Sequence, residues 1–189
     1  MTEHKPATSA SGQKHYGQLD TAGVLAIERI LPGTPEQIWP YLTEPEKTAL
    51  WLGSLQADMK SGSQLKITFD HASLSPPEES EPEQQEQIDC SVVTGEILEY
   101  EPFKTLRFSW CWDKVLTEVC FQLTPQTPDT SLLIITHAQL TDKTTIISVA
   151  AGWHTHVDIL LAKLNGETPL PFWGKHDGLI TEYQHRFAT

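Results

Sequence analysis

Thr144-Thr145-Ile146-Ile147-Ser148-Val149-Ala150-Ala151-Gly152-Trp153-His154-Thr155-His156-Val157-Asp158-Ile159-Leu160-Leu161-Ala162-Lys163-Leu164-Asn165 is the stretch from which the fold can be read. At about 100° per residue, Ile146, Val149, Ala150, Trp153, Val157, Leu160, Leu161 and Leu164 fall within about 60° of one line, so the segment reads as a long amphipathic helix. Asp142 or Thr141 supplies the cap, and Gly166 stands just past the end, where a left-handed stop is wanted. A stripe that long needs a broad apolar surface opposite it, and a sheet provides one.

The strands for that sheet lie upstream. Runs rich in β-branched and aromatic residues predict strands over 24–31, 56–60, 64–71, 88–100, 104–112, 115–124 and 131–139. Pro32-Gly33, Ser61-Gly62-Ser63, Glu101-Pro102-Phe103, Asp113-Lys114 and residues 125–129 break them. After the first strand, Thr34 reads as an N-cap with Pro35 at the first helical position and Gln37 at the third. This short helix reaches about Tyr41 and buries Ile38, Tyr41 and Leu42. A second, opened by Pro45, carries Ala49, Leu50 and Trp51. Strands joined through short turns pair antiparallel. The expected fold is therefore α+β: a curved antiparallel sheet of about seven strands around one long C-terminal helix, with two short helices after the first strand.

Around this domain, 23–189, the composition changes. Residues 1–22, rich in Ser, Thr, Gly, Gln and Lys, read as a disordered arm. Residues 72–87, with Pro76, Pro77, Pro82 and five glutamates, read as an acidic loop inserted between two strands. A helical tail from about residue 167 ends in a helix over 177–187 that offers Leu179, Ile180, Tyr183 and Phe187 on one face. Ahead of it, Pro171-Phe172-Trp173 is either an aromatic anchor folded back onto the body or a patch for a partner.

Charge and cysteine usage narrow the function classes. With 13 basic against 25 acidic residues, a net charge of −12 and no Lys/Arg stripe, nucleic acid and anionic membrane surfaces lack an electrostatic attraction. No run approaches the length of apolar residues that a spanning helix needs. Met1-Thr2-Glu3-His4-Lys5-Pro6 lacks an apolar core, and Cys90, Cys111 and Cys120 form no C-x-x-C pair, so a cytoplasmic protein without a metal site is expected. No phosphate-binding glycine motif and no G-x-S-x-G nucleophile elbow occurs. Neither a cofactor nor a catalytic residue is assigned.

Ile27-Glu28-Arg29-Ile30-Leu31-Pro32-Gly33 with Pro35-Glu36-Gln37-Ile38-Trp39, Glu46-Lys47, Trp51-Leu52, Gly95-Glu96-Ile97-Leu98-Glu99 and Thr105-Leu106-Arg107-Phe108-Ser109-Trp110 resemble the domain named after the activator of the 90-kDa heat-shock protein ATPase. That domain is a branch of the Bet v 1-like, or START-like (SRPBCC), helix-grip superfamily. Ala151-Gly152-Trp153-His154-Thr155-His156 with Asp158, Thr168-Pro169, Pro171-Phe172-Trp173 and Glu182-Tyr183 are similar to its bacterial single-domain members. The resemblance implies a helix-grip fold and a cavity of the kind in which superfamily relatives hold sterols, lipids, hormones or polyketides. It implies a chaperone as the alternative partner, because the branch is named after two-domain co-chaperones whose C-terminal domain this chain resembles. A few relatives catalyse cyclisation or hydrolysis, which leaves a cavity enzyme with a histidine base as a third reading.

Within that frame the strand over 104–112 is the most informative. Leu106, Phe108, Trp110 and Trp112 alternate with Thr105, Arg107, Ser109 and Cys111, so four bulky groups share a face. Val115, Thr117, Val119, Phe121 and Leu123 repeat the pattern on the next strand. These rows either wall a cavity for a small hydrophobic molecule or pack tightly against Trp153. The cavity candidates on strands are Phe69, His71, Phe108, Trp110, Trp112, Phe121 and His137. Those on helices are Trp39, Trp51, Trp153, His154 and Val157. His154 and His156 project about 200° apart and cannot share an ion, whereas His154 can meet Asp158 one turn on. Both histidines either cap the edges of a buried face or touch a ligand at the cavity mouth.

Overall fold

Eight strands and two long helices realise that pattern in a computed structural model that describes residues 16–75 and 92–188. The chain opens with β1 (Gln18–Leu19) and β2 (Leu25–Pro32), then α1 (Pro35–Thr43) and the short α2 (Pro45–Thr48). It continues through β3 (Ser54–Ala57), β4 (Gln64–Thr68), a 3-10 turn at Ala72–Leu74, β5 (Val92–Glu101), β6 (Thr105–Trp112), β7 (Val115–Thr127) and β8 (Thr130–Ala138). The last elements are α3 (Lys143–Leu164) and α4 (Phe172–Arg186). The strands form one antiparallel sheet in the order β1-β2-β8-β7-β6-β5-β4-β3, so β3 to β8 meander and β2 returns beside β8. This is the helix-grip architecture: α3 lies across the face to which β2, β6, β7 and β8 turn their apolar residues.

Local chemistry sets the boundaries. The Thr34 N–H donates to Gln37 Oε1 at 2.9 Å, one arm of a capping box. Asp142 Oδ2 accepts from the Thr145 N–H at 2.7 Å and starts α3; Gly166, at φ 71°, ends it. Asp113 and Lys114, both at positive φ, turn β6 into β7 as a two-residue hairpin. Where β5 crosses β6, a Cβ on Gly95 would stand 1.8 Å from the Ser109 carbonyl oxygen, so only glycine fits.

The differences from expectation have physical causes. Within the arm expected over 1–22, residues 18–19 form β1, which pairs with β2, and the Tyr183 hydroxyl accepts from the Gly17 N–H at 2.7 Å beside it. It is the eighth strand. Residues 1–15 lie outside the described residues, as do 76–91, which take in most of the expected acidic insertion, the start of the strand at 88 and Cys90. Residues 72–75 are structured by the 3-10 turn, which buries Leu74. β7 carries on through Pro125 to Thr127 with an irregular register, later than the break expected there. α4 starts at Phe172, ahead of 177, because Phe172 and Trp173 are buried against the body; the tail is docked.

α3 is more enclosed than one stripe implies. Trp153, His154, Thr155, His156 and Val157 are all buried, since the sheet covers one side and α4 and Trp51 close over others. Cys111 and Cys120 are half-buried free thiols on strands, and burial pushes the Cys120 thiol up to about 11. Among the described residues no helix is long and apolar enough to cross a membrane.

Candidate functional site

The alternation of β6 places Phe108 and Trp110 under α3. Phe108 is fully buried and meets Phe121 edge-to-face at 5.5 Å and Trp110 at 6.3 Å. Trp153 stands over both strands, 5.7 Å from Phe121 and 5.6 Å from Trp110, and Trp51 reaches Phe121 at 6.2 Å. Side chains therefore fill the space between sheet and helix at this end.

One polar chain crosses the packing. The Trp153 indole N–H donates to His137 Nδ1 at 3.1 Å, which leaves the ring proton on Nε2 to be donated to Thr117 Oγ1 at 2.8 Å. The Thr117 hydroxyl donates in turn to the Trp110 carbonyl at 3.1 Å. Burial lowers the His137 pKa to about 4, so the ring is neutral and the tautomer fixed.

The lining opens toward the β6–β7 hairpin. Phe69 touches Trp110 at 5.8 Å and Trp112 at 6.1 Å, and stacks on His71 at 5.5 Å. Trp112, expected in the buried row, is 40% exposed and its partner Val115 61% exposed: they form the tip of the hairpin, with Phe69 as the ring that flanks Trp112. Over the same end, Phe172 sits among three imidazoles, 4.5 Å from His71, 5.0 Å from His156 and 5.8 Å from His176. The Phe172 N–H donates to Ser75 Oγ at 3.1 Å and pins this first turn of α4.

Two candidates stand apart from these rings. Trp39, on α1, packs with Tyr100 and Phe103 at 6.0 and 6.3 Å. His154 lies between β2 and α4: Nδ1 is 2.9 Å from the Tyr183 hydroxyl, and Nε2 is 3.4 Å from Asp158 Oδ2, the one-turn pairing expected from the sequence. Val157 is buried in the core. His156, read as an edge residue, is enclosed instead, and its Nδ1–H donates to the Trp51 carbonyl at 2.6 Å.

Asp158 is the hub on the His154 side. Arg29 donates to Oδ1 through Nε at 3.0 Å and Nη2 at 2.9 Å, and Lys175 donates to Oδ2. Burial by itself raises its pKa, but the hydrogen bond from His154, the Arg29 charge and Lys175 outweigh that and hold the carboxyl well below the usual range. Arg29 was legible in principle: with Leu25, Ile27 and Leu31 it occupies the inward face of β2, where an arginine demands a buried carboxylate. Tyr183, Lys175 and His176 carried no comparable signal.

A groove of about 290 Å3 runs along the end of α3 between Asp158, Leu161, Ala162, Leu170 and Lys175, and a hollow of about 40 Å3 lies by Tyr16 and Glu28. Neither touches Phe108 or Trp110. Among the described residues, no three His, Cys, Asp or Glu side chains are grouped to hold a metal ion.

Comparison with known proteins adds relatives to this geometry. The profile of the family described as activator of Hsp90 ATPase homolog 1-like protein matches residues 32–165. The protein encoded by gene BPP1335 of Bordetella parapertussis, solved by NMR, is 31% identical, with a TM-score of 0.75 over 96% of both chains. CalU16 from Micromonospora echinospora is 20% identical, with a TM-score of 0.65 over 92% of both chains. EF2215 from Enterococcus faecalis is 21% identical, with a TM-score of 0.62 over 91% of this chain and 89% of its own. At that identity the last two speak for the fold alone. No functionally curated protein matches the sequence.

Proposed function

We propose, from the premise that this chain belongs to the activator of Hsp90 ATPase homolog 1-like family, that it is a non-catalytic domain that binds a small hydrophobic or amphipathic molecule between the sheet and α3. The observation that carries this reading is the gradient along one row of rings. Phe108 is sealed, Trp110 half-buried and Trp112 open to solvent, so an apolar lining runs continuously from the core to the surface. A planar molecule arriving over Trp112 would stack on Phe69 and part Trp110 from Trp153. The sealed end gives the empty protein its stability, and the ligand replaces ring contacts with its own.

The test is titration of the full chain with the neutral probe N-phenyl-1-naphthylamine, following tryptophan quenching and probe emission. The expected result is saturable one-to-one binding that W112A weakens by about tenfold, the loss of roughly one aromatic contact, with the melting temperature unchanged. Quenching that never saturates, or is indifferent to W112A, overturns the reading.

A second reading, a partner of an Hsp90-type chaperone, draws support from the same hairpin. Val115 and Leu116, 61% and 60% exposed, occupy its opposite faces. It predicts a changed chaperone ATPase rate on addition of the wild type and an unchanged rate with L116S.

A further inference from the structure

We infer that the ligand carries a hydroxyl group on its ring system, and that this hydroxyl is received between the indole N–H of Trp153 and Nδ1 of His137. The inference rests on the binding reading above and names the chemistry of the molecule bound.

The place follows from three rings. Trp110 and His137 are 5.6 Å apart between centroids, Trp110 and Trp153 also 5.6 Å, and His137 and Trp153 6.3 Å. A guest that parts Trp110 from Trp153 therefore lies against the His137 imidazole as well. The polar groups of the inward rows collect at the same point. The buried side chains of β7 are Thr117, Val119, Phe121 and Leu123, and those of β8 are Ser131, Leu133, Ile135 and His137. Ser131 lies near the other end of its strand, where its hydroxyl donates to the Gly33 carbonyl at 2.8 Å. Thr117 is opposite Trp110 in the ladder, and His137 is opposite Val119, two residues on. An apolar lining with a few convergent polar groups is what fixes the orientation of a bound molecule.

The choice of a hydroxyl follows from what those groups can do. The Trp153 indole only donates, and His137 Nδ1 only accepts, because the ring proton sits on Nε2 toward Thr117. Exchanging the tautomer would turn the Thr117 proton away from the Trp110 carbonyl that it now serves. Burial keeps the imidazole neutral, with its pKa lowered to about 4, so it offers a lone pair and no charge. In the empty protein this donor and acceptor satisfy each other at 3.1 Å. A ring entering beside them draws them apart and leaves both unpaired in a buried place, which is costly.

A hydroxyl oxygen repairs both losses: it accepts from the Trp153 N–H and donates its own proton to Nδ1. Two such bonds through one oxygen hold the nitrogens about 4.5 Å apart, so the indole has only to draw back by a little over an ångström. A carbonyl or ether oxygen accepts from the indole and leaves Nδ1 bare. No proton changes owner, and no covalent bond forms or breaks.

The experiment compares 1-naphthol with 1-methoxynaphthalene on the full chain by isothermal titration calorimetry. The two share a ring system and an oxygen, and only the first has a proton on it. The expected result is at least about tenfold tighter binding of the naphthol, the scale of one buried acceptor left unpaired. H137F should bring the ratio of the two affinities close to one. In histidine-labelled protein, the 15N resonance of His137 Nδ1 should move on addition of the naphthol and much less with the ether, a signature that a purely structural histidine would not give. The wild-type ratio and that resonance decide the matter even if H137F folds poorly. Equal affinity for both probes overturns the hydroxyl preference and leaves the binding reading intact. A preference with the His137 resonance unmoved overturns the place assigned to the hydroxyl; failure of both probes to bind removes the binding reading itself.

Discussion

His154 and His156 stand two residues apart on one helix, both are buried, and they live in opposite chemistries. His154 joins a charged cluster: Asp158 at 3.4 Å, with Arg29 and Lys175 on the same carboxylate and the Tyr183 hydroxyl on the other ring nitrogen. His156 is surrounded by Phe69, His71 and Phe172 and keeps a single backbone acceptor, the Trp51 carbonyl. Burial lowers both pKa values, with Asp158 opposing the shift at His154, while at His156 the value falls to about 3. The pair teaches that α3 separates two kinds of packing. One side clamps the helix to β2 and α4 by charge; the other is held by ring contacts, and it is on this side that the proposed ligand would enter.

The hardest break of that comparison is Asp158→Ala. It removes the carboxylate that Arg29, Lys175 and His154 share and leaves the buried guanidinium without its counter-ion. A loss of about 3–5 kcal/mol in urea denaturation is expected. A loss near zero would mean that the charged side does not clamp.

Acid separates the two sides more gently. His137 and His156 have folded pKa values depressed to about 4 and about 3 from 6.5, so the stability they confer is complete above 6.5 and is withdrawn as pH falls below it. Each ring withdraws about 1.4 kcal/mol per pH unit in that range. From pH 7.5 to 5.5 the two together cost about 3 kcal/mol, with a melting point lower by roughly 5–10 °C. Hydrogen exchange should show the first turn of α4, beside His156, loosening before the contacts of His154. The reverse order would overturn the division.

The mildest test is Tyr183→Phe, which leaves the ring in place and takes the oxygen from both His154 and the Gly17 N–H. About 1–2 kcal/mol is expected, together with faster exchange at Gly17.

The sequence made one side of this division far more visible than the other. Helix period, the Asp142 cap and the Gly166 stop located α3 to within a residue, and alternation along β6 identified Phe108 and Trp110 as interior. Apolar patterns are local and repeat, so they can be read from spacing. The clamp is neither. Arg29 breaks the pattern of its own strand, and its partner is 129 residues away. β1, two residues in a polar stretch, has no propensity of its own and lies beside the contact in which Tyr183 receives Gly17. Trp112 shows the converse error: alternation assigns a face, but says nothing about how far the covering helix extends.

The Gly17–Tyr183 contact spans 166 residues of chain with one hydrogen bond. Closing so large a loop is entropically the dearest step in assembly, so this clasp is expected to form after the sheet and α3 have joined. Interactions absent from the folding transition state act on escape from the native state. The clasp should then leave the refolding rate nearly untouched and slow unfolding, making the short strand β1 and the Gly17 beside it a kinetic brake.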